Sequence, residues 1–142
     1  MTEHILVPYD GSPLSRRALE RAVTRHPDAR ITVLYVIDPM LAVYESETKG
    51  LPEASSWHDR ARERADEICA DATALAEDEG CDIATATETG RPARAILEYV
   101  DAHGVDHVVM GSHGREGVSR LVLGSVAERV MRQAPVPVTI VR

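Results

Sequence analysis

Val108-Val109-Met110-Gly111-Ser112-His113-Gly114, with Gly124-Ser125 ten residues after Gly114, is the stretch that decides the fold. A short apolar run ends in glycines, and Ser125 opens a segment with helical spacing. Glycines placed where a strand ends and a helix begins let a ligand approach the backbone, and free N–H groups there can hold phosphate oxygens. The stretch predicts a phosphate-binding loop at the carboxyl end of a parallel strand. Gly111 and Gly114 can adopt positive φ cheaply and let a ligand approach the backbone, and Gly124 does the same at the helix entrance. Ser125-Val126-Ala127-Glu128 also fits a capping box, in which Ser125 caps its own helix.

The same alternation runs outward in both directions. Ile5-Leu6-Val7, ending at Pro8, reads as a buried strand. Asp10-Gly11-Ser12-Pro13 reads as a turn and helix start, with Ser12 at the N-cap and Pro13 at the first helical position. Residues 31–37 are rich in β-branched side chains and form a second strand. Residues 40–56 have no period and read as an excursion. From about Glu53 to Glu79 the face Ala61, Ala65, Ile68, Ala72 and Leu75 is helical, and Gly80 stops it. Residues 81–88 read as a weaker strand, Gly90-Arg91-Pro92 as a helix start, 105–110 as the fourth strand and 136–141 as the last.

Strands alternating with helices predict one α/β domain spanning 1–142: a doubly wound, five-stranded parallel sheet, order 3-2-1-4-5, flanked by four helices. Ligands of such sheets bind beyond the strand carboxyl ends, at the switch point of the strand order. That places the loops after the first, second and fourth strands at the site.

Composition narrows the function. The net charge of −7 argues against nucleic acid or an anionic membrane as partner. Lys49 is the sole lysine. No apolar run approaches the ~20 residues of a membrane span, and Met1-Thr2-Glu3-His4 does not open a secretory leader. Cys69 and Cys81 have neither metal nor redox spacing, which fits a reducing, cytoplasmic setting. The loop itself, with Arg115 and Arg120 against Glu116, is less acidic than the chain. His4, His26, His58, His103 and His107 share no ligand spacing and read as surface residues. Trp57 reads as packing over the core.

Several chemistries are excluded. No Gly-Lys-Ser/Thr occurs, so this is not a P-loop, and the glycines follow a late strand rather than the first, unlike a dinucleotide fingerprint. Asp10 lacks the neighbouring acids and lysine of a receiver domain, and Ser12 stands where a haloacid-dehalogenase-type site needs a second aspartate. No nucleophile–base pair surrounds His113 or Ser112, so no catalytic residue is assigned.

The spacing Gly, two residues, Gly, nine residues, Gly-Ser resembles the motif of the ATP-binding universal stress proteins. Ile5-Leu6-Val7-Pro8-Tyr9-Asp10-Gly11-Ser12, Gly90-Arg91-Pro92 and Val136-Pro137-Val138-Thr139-Ile140-Val141 extend the resemblance over essentially the whole chain. The resemblance implies that Asp10 contacts adenosine, with Pro8 and Tyr9 as the wall beside it and Val36 along the adenine. Met110 and Gly111 would border ribose and phosphates. His113, Gly114, Gly124, Ser125 and Val126 would surround the triphosphate, with Mg²⁺ or Mn²⁺ among its oxygens and no protein side chain assigned to the metal. Several family members carry Thr where this chain has Ala127, which removes one hydroxyl. The resemblance further implies a homodimer through the terminal strand 136–141, and a cytoplasmic, nucleotide-dependent switch in the stress response, read by protein partners that it does not identify. In that reading the nucleotide alters segments 40–56 and 112–123. The alternatives are a slow ATP hydrolase and a nucleotide-free interaction module.

Overall fold

The structure, a computed structural model, describes residues 2–40, 54–113 and 123–142, the side chains of 54–56 excepted. Gly114 and most of the 40–56 excursion lie outside the described residues. The elements are β1 (His4–Pro8), α1 (Pro13–Arg25), β2 (Arg30–Ile37), α2 (Ala54–Asp78), β3 (Ala84–Thr89), α3 (Pro92–Ala102), β4 (His107–Gly111), α4 (Ser125–Gln133) and β5 (Val138–Val141). All strand pairs are parallel and the order is β3-β2-β1-β4-β5, as the sequence predicts.

β1 lies at the centre, covered on both faces, which is why Ile5, Leu6 and Val7 are all fully buried. The pleat divides them. Ile5 and Val7 join Val33, Val109, Leu19 and Ile68 beneath α1 and α2. Leu6 joins Leu34, Val108, Met110, Ile96 and Val130 beneath α3 and α4. Trp57 is buried against Ile37 and Ala65, at the start of the long helix.

The caps follow the sequence. Ser12 is the N-cap of α1, its side chain accepting from the Ser15 N–H, with Pro13 following. Beyond α2, Cys81 donates its N–H to Ala76 and Gly80 donates to Glu77, the reverse turn in which glycine ends a helix. Residues 81–83 therefore belong to that exit, and β3 begins at Ala84 rather than at 81. β5 begins at Val138, because Val136 lies in the bend after α4 and packs on the α3–α4 face.

Two histidines expected at the surface are not there. His4 is buried, its Nε2 2.9 Å from Thr32 Oγ1 and its Nδ1 3.2 Å from the His103 carbonyl. His107 is half-buried, with Nε2 2.8 Å from Thr139 Oγ1 and its ring edge-on to His26. Both open strands of a sheet covered on two sides, so their rings face helices.

Candidate functional site

β1 and β4 are neighbours whose chains leave the sheet in opposite directions, so their carboxyl ends form the switch point. Pro8 ends β1, and the Tyr9 N–H extends the ladder by donating to the Leu34 carbonyl at 2.9 Å. Asp10 Oδ1 accepts the Ser12 N–H at 2.9 Å, closing an Asx turn around Gly11, whose φ of 80° is costly for any side chain. The half-buried Asp10 carboxylate is thereby fixed at the mouth of the sheet.

Tyr9 differs from the expectation of a wall residue. Its ring belongs to the α1–α2 core, only 3% exposed, and its hydroxyl donates to the Asp71 carboxylate on α2. Arg16 Nη1 reaches the same carboxylate at 2.6 Å. Burial, then Asp71, pushes the Tyr9 hydroxyl above its ordinary value. Burial alone would raise Asp71, but hydrogen bonds from Tyr9 and Arg16 hold it below the usual carboxylate range. What Tyr9 presents at the strand ends is its backbone.

At the end of β4, Met110 is buried on the α3–α4 face. Gly111 does not use the positive φ open to glycine. Its role is close approach: a Cβ there would lie 2.8 Å from Leu14 Cβ and 3.1 Å from the Leu14 carbonyl carbon. The β4 end thus packs directly on the first turn of α1, beside the Asp10 turn. Ser112 donates its N–H to the Val141 carbonyl at 2.8 Å, and its own carbonyl accepts the Gly124 N–H at 2.7 Å. Gly124 is therefore held against Ser112 and His113, and the two ends of the glycine motif meet. The Ser112 hydroxyl is buried with no partner among the described residues.

The capping box is overturned. Gly124, with extended φ −65° and ψ 156°, is the N-cap of α4, and no side chain caps it. Ser125 stands inside the helix, exposed, and Glu128 pairs with Arg132 at 3.1 Å instead. Among the described residues no side chain accepts from the first N–H groups of α4, which lie beside a serine hydroxyl and at the positive end of the helix dipole.

A cleft of about 340 Å³ opens at this end of the sheet. Ser125, Val126 and Arg129 of α4 form one side. Asp38 and Met40, beyond β2, and Arg91, Pro92 and Ala93, at the start of α3, form the other. The Gly90 N–H donates to the Ile37 carbonyl at 2.9 Å, and Gly90 adopts φ 153°. That turn sets Arg91 next to Asp38. Val36 lies on the α3–α4 face just before this corner.

Of the residues expected at the site, Ser125 and Val126 line the cleft. Pro8, Asp10, Gly111, His113 and Gly124 sit at the adjoining strand and loop ends, and Gly114 lies outside the described residues. Sequence reasoning missed Met40, Arg91 and Arg129 as cleft residues. Arg129 had a legible signal, since four residues after Ser125 puts it on the same helix face. Arg91 had a weaker one, directly preceding the proline of a recognised helix start.

The universal stress protein family model matches residues 1–142. Universal stress protein MJ0531 of Methanocaldococcus jannaschii is 35% identical, over 97% of this chain and 81% of its own length. Among solved structures, hypothetical protein MJ0577 superposes with a TM-score of 0.82 at 26% identity, covering 99% of this chain and 96% of that one. A universal stress protein in complex with cAMP superposes with a TM-score of 0.72 at 25% identity, covering 99% and 97%. The strand order and this full-length agreement converge, and the chain belongs to the universal stress protein family.

Proposed function

We propose that this protein binds ATP at the carboxyl ends of β1, β2 and β4 and acts as a nucleotide-dependent switch in the cytoplasm. The observation that carries the reading is the junction of Ser112, Gly124 and Ser125. The uncapped N-terminus of α4, a free hydroxyl and a backbone without a side chain are brought to one place. That donor set fits phosphate oxygens. Asp10, fixed by its turn, is positioned to accept from ribose hydroxyls, and Val36 supplies apolar surface and backbone toward the base. Arg91 and Arg129 offset the acidity of the chain where the ligand would lie. Binding of cAMP by a structural neighbour supports a nucleotide as the ligand class. Among the described residues no cluster of three His, Cys, Asp or Glu side chains is suited to an ion. A divalent ion such as Mg²⁺ would accompany the phosphates.

The switch reading also takes the protein as a homodimer. β5 is an edge of the sheet and its four residues are half-exposed, so its outer N–H and C=O groups are free to pair with a second copy. No described helix is long and apolar enough to cross a membrane.

Isothermal titration of nucleotide-free protein with Mg·ATP tests the reading. Saturable heat together with a thermal shift supports it. No heat and no shift at millimolar ATP overturns it. Steady release of ADP by the purified protein would move the reading toward a slow hydrolase.

A further inference from the structure

Resting on the nucleotide reading, we infer that Arg91 and Arg129 form a two-armed clamp for the outer phosphates, which makes this cleft select nucleoside di- and triphosphates over monophosphates. Both arginines line the cleft, Arg91 from the N-cap of α3 and Arg129 from the middle of α4. Both are exposed and face one another across the space beside Ser125. Their charge is unspent. Among the described residues neither has a carboxylate partner, and Arg129 reaches only the Gln133 amide oxygen, at 3.5 Å. The arginines one turn along the same helices behave differently: Arg94 pairs with Glu98 at 2.9 Å and Arg132 with Glu128 at 3.1 Å. The helices thus neutralise their solvent-facing arginines and leave the cleft-facing ones open.

Among the described residues the cleft has one opposing carboxylate, Asp38. Its Oδ1 already accepts the Met40 N–H at 2.9 Å, which ties it to its own turn. Among the described lining residues, two cations stand against one carboxylate, in a chain of net charge −7. Neither helix spends a side chain on its N-cap: Arg91 is itself the extended N-cap of α3 and makes no side-chain cap bond, as Gly124 makes none for α4. Two helix N-termini without side-chain caps and two guanidinium groups thus border one cleft. A monophosphate carries one charged group and satisfies one side of the cleft. A triphosphate laid from Ser125 toward Arg91 engages both, through charge-assisted and bidentate hydrogen bonds.

The test measures affinities of the full chain for ATP, ADP and AMP, each with Mg²⁺, by calorimetry at low salt. ATP is expected to bind at least about tenfold more tightly than AMP, with ADP between them. In R91Q/R129Q the ATP-to-AMP ratio should collapse to within about threefold, with circular dichroism unchanged. As a second readout needing no variant, raising NaCl from about 0.05 to 0.5 M should shrink the wild-type ratio, because exposed charges are screened. A ratio that survives both the double variant and salt overturns the clamp and leaves nucleotide binding intact. Equal loss of ATP and AMP in the folded variant also overturns the selectivity role. A wild-type protein that binds no nucleotide overturns the clamp and the proposed function together.

Discussion

The Gly124 N–H donates to the Ser112 carbonyl at 2.7 Å, and a Cβ on Gly124 would lie 3.0 Å from that same oxygen. Glycine is needed here for space, since the φ of −65° suits any residue. Because Ser112 also donates to Val141, one point joins the end of β4, the start of α4 and the end of β5.

Gly124→Val should push the first turn of α4 away from Ser112 and His113. The expected outcome is ATP affinity reduced by at least about tenfold, with a stability cost of about 1–3 kcal/mol from overpacking. Calorimetry with Mg·ATP, run beside thermal melting followed by circular dichroism, checks both. Unchanged affinity in a folded variant refutes the role of the loop.

Gly111→Ala should be chiefly a stability lesion. The added methyl meets Leu14 Cβ at 2.8 Å and Leu14 backbone beyond it, so strand and helix must separate. A loss of about 1–3 kcal/mol is expected. Urea denaturation followed by the fluorescence of the lone, buried Trp57 measures it, and a stability equal to wild type contradicts the packing account.

Asp71→Ala should cost more than Tyr9→Phe. Removing Asp71 strands the buried Tyr9 hydroxyl, a penalty of about 1–3 kcal/mol, whereas Tyr9→Phe removes one hydrogen bond, worth about 0.5–1.5 kcal/mol. Asp71 and Arg16 are both 42% exposed at the side chain, so their ion pair adds little. The double variant should therefore be more stable than Asp71→Ala alone. Denaturation of all three variants decides it.

Acid should weaken the fold before the carboxylates titrate. Burial, then the Arg30 charge, holds His4 below its ordinary 6.5; burial also holds His107 below 6.5, outweighing Glu3, which raises it. The unfolded chain then binds protons that the folded one refuses, so stability rises with pH in this range. It should be level above about pH 7.5 and fall as pH drops through 6.5 toward the lower folded values. Glu3 lies 3.3 Å from His26, whose ring meets His107. His4→Gln should flatten the profile between pH 5 and 7, in denaturant midpoints measured across that range. A slope identical to wild type would exclude His4 as its source.

Much of this was legible in particular residues. Ser12-Pro13 and Gly80 announced helix ends because caps are local chemistry. Ile5-Leu6-Val7 announced a doubly covered strand because such strands have no polar face. The capping box at Ser125 misled because the same four residues fit two local geometries. What separates them is the hydrogen bond from Gly124 to Ser112, which joins segments distant in sequence. Tyr9 and His4 were misjudged for a related reason: a polar tip on an apolar ring is stable on either side of a surface, and its partners, Asp71 and Thr32, come from other elements.

The sequence by itself determined the alternation of strands and helices and most of their ends, because periodicity and caps are set by short stretches of chain. Only the tertiary structure decided what the glycines are for and which cations meet the cleft. Gly111 yields space to Leu14, Gly124 to Ser112, and Arg91 and Arg129 face one space from two helices. Those relationships depend on distances between elements that the chain separates by tens of residues, and packing alone creates them.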